Sequence, residues 1–169
     1  PGEFHICVKN HLDMSKIVLS GVNKEYEDVR YAMEQGVVHY TAESVAQLKL
    51  VERCATELEK QVELILRVTS GNQFGMSEED VISCIREKET YPHVQLMGLQ
   101  YFTGTQKKGM KKIAGEVAYI EDFSERLRTE EGFETKILEF GPGLGVPYFT
   151  KDDFEEDTRL LKEFMELFQ

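Results

Sequence analysis

Short apolar runs and amphipathic stretches alternate about five times along this chain, and few architectures accommodate that rhythm. The apolar runs are Lys16–Ser20, Val37–Thr41, Val62–Val68, Val94–Thr103 and Thr135–Phe140. Pro1–Leu12 predicts a helix or its remnant ahead of the first run. Tyr26, Val29 and Met33 then recur at helical spacing up to Gly36, where a glycine can take the left-handed position that closes a helix. Ser44 and Gln47 have the spacing of a capping box before Val45, Leu48, Val51 and Leu58. Ser77, followed by Glu78, Glu79 and Asp80, predicts a further helix start, with Val81, Ile82 and Ile85 on its apolar side. Met110, Ile113, Val117, Ile120 and Leu127 mark a longer helix. Phe154, Leu161, Phe164 and Phe168 mark a last one, capped within Thr150–Asp153.

Strand and helix in alternation predict an α/β fold with parallel strands buried on both faces. No linker or shift in composition divides residues 1–169, so one domain is expected. The alternation fits an open doubly wound sheet as well as an arc of an eightfold barrel. Both place ligands at the carboxyl ends of their strands.

Those ends carry the chemistry. The last strand runs into Gly141-Pro142-Gly143-Leu144-Gly145. Glycines without a Cβ allow several backbone N–H groups to converge on one anion, and phosphate is the expected guest; the other reading is a tight strand-to-helix turn. The third strand brings Arg67 to the end of an apolar run, where a guanidinium is costly without a partner, so a ligand contact or a buried ion pair is expected. The fourth ends in Gln100-Tyr101-Phe102-Thr103-Gly104-Thr105-Gln106, where a flat ligand could stack on Phe102; the alternative is that Phe102 is core.

Charge and residue counts exclude other classes. With 31 acidic against 20 basic residues, the net charge of -11 repels nucleic acid and anionic membrane surfaces. The one basic cluster, Lys107, Lys108, Lys111 and Lys112, reads as a solvated helix face. Cys7, Cys54 and Cys84 are far apart and odd in number, so no disulfide framework is predicted, and a reducing, cytoplasmic compartment is expected. The four histidines have no metal-binding spacing, so no metal is predicted. No apolar run approaches a membrane span.

Leu138–Gly145 resembles the first motif of Rossmann-like methyltransferases, an enzymatic alternative whose glycine loop opens the domain, whereas here it comes late. A second resemblance covers nearly the whole chain. Gly2-Glu3-Phe4, Ile17 to Lys24, Glu43-Ser44, Leu66-Arg67-Val68, Phe74-Gly75-Met76, Gly98 to Gln106 and Gly141 to Tyr148 resemble, in order and spacing, the fold-type III pyridoxal-phosphate decarboxylases. The likeness is to the diaminopimelate, ornithine and lysine decarboxylases, which share a barrel with alanine racemase.

The resemblance implies a partial (β/α)₈ barrel, with this chain as its central to C-terminal part. Pyridoxal 5'-phosphate is the implied cofactor, an amino acid the implied substrate and a homodimer the implied assembly. Gly141, Pro142 and Gly143 match the phosphate-binding glycines, with proline in place of the middle one. Thr105 stands where the family has a phosphate-binding serine, and Phe102 where it commonly has a ring-stacking histidine. Glu3 matches a glutamate near the cofactor, and Arg67 an arginine that orders the site. The family's Schiff-base lysine and its C-terminal β-domain are expected outside this stretch, so the chain alone is expected to be inactive. Lys9 does not match that lysine. A non-catalytic binding module is the expectation for a chain complete at this length.

Overall fold

A computed structural model describes residues 2–146 and 154–167, the side chains of 154–157 excepted. Its elements are α1 (Gly2–Lys9), β1 (Val18–Leu19), α2 (Tyr26–Glu34), β2 (His39–Ala42), α3 (Val45–Glu57), β3 (Val62–Val68), α4 (Glu78–Arg86), β4 (Val94–Phe102), α5 (Met110–Glu130), β5 (Ile137–Gly141) and α6 (Phe154–Glu166). Short 3₁₀ turns at Met14–Lys16 and Lys88–Thr90 precede β1 and β4.

The five strands are all parallel and lie in the order β1-β2-β3-β4-β5. A doubly wound sheet reverses direction at a switch point, whereas a barrel adds each strand beside the last. Sequential order therefore identifies a curled part of a barrel, the choice that alternation alone left open. The first strand is shorter than the apolar run Lys16–Ser20, because Lys16 belongs to the 3₁₀ turn.

One face of the sheet packs on the helices. Tyr40, Ala42, Leu64, Leu66, Val68, Leu99 and Tyr101 meet helix residues such as Val29, Met33, Leu48, Val51, Ile85, Ile120 and Phe123 in one core. Local signals place the helices as expected: Ser44 Oγ accepts from Gln47 N–H and Ser77 Oγ from Asp80 N–H. The capping box is half formed, since the Gln47 carboxamide accepts instead from Glu43 N–H and from Lys24. In α6, Leu160 is buried while Leu161 points outward, and Phe164 stacks on Phe140 with ring centroids 6.0 Å apart. The expected cap at Thr150–Asp153 lies outside the described residues.

The other face lines the barrel interior. Val18, His39, Glu63, Ile65, Ile137 and Glu139 border a trough of about 380 Å³ along it. A β-bulge sets which residues face it. Leu64 pairs with Leu96 but Ile65 pairs with Gly98, so Met97 is extra in β4. The extra residue inverts the alternation beyond it, which turns Gln100 and Phe102 to the interior and Leu99 and Tyr101 to the core. Only glycine fits at the bulge, because a Cβ on Gly98 would lie 1.9 Å from the Ile137 carbonyl oxygen. Gly98 is thus the residue that lets β4 continue through the bulge.

Candidate functional site at the carboxyl ends of the strands

Arg67 and Glu43 form the charged centre of this end of the sheet. Ala42 pairs with Leu66, so the next position on each strand brings Glu43 beside Arg67. Arg67 Nη1 lies 2.8 Å from Glu43 Oε1, with the two side chains only 12% and 5% exposed. The contact is one of charge without hydrogen-bond alignment: neither Glu43 oxygen nor Arg67 Nε has a hydrogen-bond partner among the described residues. Of the two roles expected for Arg67, the buried ion pair is the one the fold builds. Its guanidinium also faces the rings of Phe74 and Phe102, at 5.4 and 6.0 Å from their centroids.

A second cation backs this pair. Lys24, in the loop before α2, donates to Gly21 O at 2.7 Å, Gln47 Oε1 at 3.2 Å and Thr41 Oγ1 at 3.4 Å. Burial pulls its pKa down to about 8; the Glu43 carboxylate opposes the shift and the Arg67 guanidinium adds to it. Farther along, Arg67 pairs with Gln100 and Gln100 with Glu139 across the strands, and Gln100 Nε2 donates to Glu139 Oε1 at 2.8 Å. The interior row is therefore polar at this level, whereas apolar Ile65 and Ile137 occupy the level below.

Phe102 sits at the end of β4 against Gly141, the last residue of β5. A Cβ on Gly141 would come within 2.5 Å of the Phe102 ring, so glycine at 141 is what gives the ring its place. The glycine loop that follows is laced to the loop after β4. Lys107 N–H donates to Gly143 O at 2.9 Å, and Gly145 N–H to Lys107 O at 3.0 Å. The Gln106 carboxamide adds two bonds to Val146, one to its carbonyl oxygen and one from its N–H. Gly143 has a φ of 63°, and a Cβ there would lie 1.7 Å from Gly104 O.

Arg67, Phe102, Thr105, Gly141, Pro142 and Gly143 thus share one end of the sheet. Thr105 is exposed, between Gly104 and the laced Gln106. Glu3 stands apart. It is exposed on α1, whose Phe4 and His5 border a cleft with Asn23 and Lys24. Sequence reasoning missed Glu43 as the partner of Arg67, a pairing that strand register alone would have given. It also misread Lys107. Lys108, Lys111 and Lys112 are exposed, but Lys107 is buried, its ammonium 2.7 Å from Glu116 Oε2, so the solvated-face reading is corrected for that residue. The three cysteines are free, and Cys54 and Cys84 are buried. No group of three or more metal-ligating side chains occurs among the described residues, and no described helix is long and apolar enough to cross a membrane.

Comparison with known proteins gives this geometry a context. Diaminopimelate decarboxylase of Zymomonas mobilis is 28% identical over 170 residues, an alignment that covers 92% of this chain and 40% of the relative. The L-glutamyl-[BtrI acyl-carrier protein] decarboxylase of Niallia circulans is 22% identical over 98% of this chain and 42% of its own length. Among solved structures, diaminopimelate decarboxylase of M. jannaschii in complex with L-lysine superposes with a TM-score of 0.83 at 23% identity, covering 99% of this chain and 42% of that one. The chain therefore spans about 40% of the length of the relatives it matches. The model of the pyridoxal-dependent decarboxylase pyridoxal-binding domain matches residues 1–169. By that match to their pyridoxal-binding domain the chain belongs to the pyridoxal-dependent decarboxylases, whose cofactor is pyridoxal phosphate.

Proposed function

We propose that the protein carrying this chain decarboxylates an amino acid of the diaminopimelate, lysine or ornithine class, and that this stretch supplies the phosphate-binding loop and the ring-stacking strand. One observation carries the reading: the glycine loop, the Thr105 segment and the Phe102 ring meet at the carboxyl end of the sheet, beside the Arg67–Glu43 pair. The residues fit the cofactor. A phosphate needs converging donors without side chains in the way, and Gly141 and Gly143 are held where no Cβ fits. Pro142 removes one N–H from that set, and the Thr105 hydroxyl adds a donor beside it.

Pyridoxal phosphate, when bound, supplies an electron sink for the pair of electrons left as a carboxylate departs. This chain's residues fix its position. Phe102 offers an apolar face for a planar ring, and it holds no proton to transfer. Arg67 is oriented by Glu43 and by the two phenyl rings, and its Nε, without a hydrogen-bond partner among the described residues, is offered to a polar group of the cofactor. Glu3, exposed on α1 apart from the glycine loop, is the remaining candidate for a polar contact with the cofactor.

In this reading the stretch is the central to C-terminal part of a barrel. The lysine that anchors the cofactor lies on a strand before it and a β-domain follows, in keeping with the 40% coverage of its relatives. The stretch alone is then inactive, and the whole protein is a cytoplasmic homodimer. A methyltransferase is disfavoured, because the glycine loop follows β5, at the edge of the sheet, and not the first strand.

The test supplies the native-length protein with pyridoxal phosphate and then with diaminopimelate, lysine or ornithine in turn. Released carbon dioxide and a borohydride-trapped chromophore are measured together. Carbon dioxide from one of the three supports the proposal; a native-length protein that traps no chromophore overturns it.

A further inference from the structure

Lys107 is the buried member of a lysine-rich segment whose other members are solvated. Its side chain is 7% exposed and that of Glu116 is 9% exposed. The two meet at 2.7 Å, and Thr103 Oγ1 closes a triangle, donating to Glu116 Oε1 at 2.6 Å and accepting from the Lys107 ammonium. Each corner belongs to a different piece of structure. Thr103 follows the last residue of β4, Glu116 lies in the second turn of α5, and Lys107 carries the two backbone bonds to Gly143 and Gly145.

The start of α5 has no side-chain cap, since its N-cap is Gly109. A buried ion pair adds little net stability over well-packed apolar residues, because desolvation offsets the attraction, but its charge-assisted bonds are directional. Direction is what this place requires. The Lys107 backbone must present its N–H and C=O to the glycine loop at once, while Gly143 approaches the Gly104 carbonyl too closely to carry a Cβ.

We propose that the Lys107–Thr103–Glu116 triangle is a positioning latch that sets the spacing between the Thr105 segment and the glycine loop, and so tunes recognition of the cofactor's phosphate. Lys107 acts through its backbone and its charge pair, without touching the ring. The inference rests on the pyridoxal-phosphate reading above.

The experiment measures affinity of the native-length protein for pyridoxal phosphate and for pyridoxal, which lacks the phosphate, by fluorescence titration. Wild type should prefer pyridoxal phosphate. In Lys107→Met that preference should fall about tenfold, a change of about 1.4 kcal/mol in phosphate recognition, while pyridoxal affinity stays within about twofold. Because the single variant strands a buried carboxylate, Lys107→Met/Glu116→Leu serves as the fold-safe partner. It should unfold near the wild-type temperature and still lose the preference. A double variant that folds and keeps full preference for the phosphate overturns the latch alone. Equal loss of both affinities in the two folded variants makes the triangle a general stabiliser and likewise overturns it. A wild type without preference for pyridoxal phosphate overturns the phosphate-loop reading and the latch with it.

Discussion

Gly143 stands so close to Gly104 that a Cβ on Gly143 would lie 1.7 Å from the Gly104 carbonyl oxygen, and its φ of 63° is one that side chains rarely adopt. Steric exclusion and backbone conformation select glycine at the same position. Gly143→Ala must push the glycine loop off the loop after β4 and break the bonds that Lys107 makes to it. The expected result is a loss of at least about tenfold in pyridoxal-phosphate affinity by fluorescence titration, equivalent to about 1.4 kcal/mol. Unchanged affinity would show that the loop spacing does not matter to the cofactor.

Thr105 separates binding from folding. It is exposed, so its hydroxyl adds little to the fold. Thr105→Val should weaken pyridoxal-phosphate affinity about tenfold or more, as expected for loss of one hydrogen bond of about 1.5 kcal/mol to a charged group, with no change in unfolding temperature. Equal affinity in the two proteins would remove Thr105 from the phosphate site.

Glu43 and Arg67 make the opposite case. Both are buried, so removing one leaves the other charged and unpaired. Glu43→Ala should lower the free energy of unfolding by about 3 kcal/mol, read from the midpoint of urea denaturation. A midpoint within error of wild type would mean that Arg67 finds water or another partner at no cost.

Lys24 predicts a pH dependence of definite sign. Burial lowers its pKa from 10.5 to about 8, so between those values the unfolded chain holds a proton that the folded chain has released. Stability rises with pH where the unfolded state binds more protons. The cost of burying the charged ammonium is thus fully present below about pH 8 and is relieved as the pH climbs toward 10.5. Wild type should gain stability relative to Lys24→Met over that window, measured by urea midpoints at pH 7.5, 8.5 and 9.5. A constant difference would mean that Lys24 keeps its proton when folded.

The helices were legible in the sequence because their signals are local. Ser44 and Ser77 cap where their spacing says they should, and Ile113, Val117, Ile120 and Leu127 form the buried face of α5. Strand Val62–Val68 was equally plain, and Gly141 and Gly143 announced a close approach. Glu43 and Lys107 were not legible as site residues. Glu43 becomes the partner of Arg67 only through the register of β2 on β3, and Lys107 is buried only because Glu116 and the glycine loop close over it.

The sequence by itself determined the alternation of strand and helix, the ends at which chemistry gathers and the family to which those ends belong, since side-chain periodicity and glycine spacing follow from backbone geometry a few residues at a time. Tertiary structure alone decided the sequential strand order that makes this sheet part of a barrel, the bulge at Gly98 that turns Phe102 inward, and which charges pair. Each depends on residues far apart in the chain, and local propensity carries no information about which strand, oxygen or ammonium will be the neighbour.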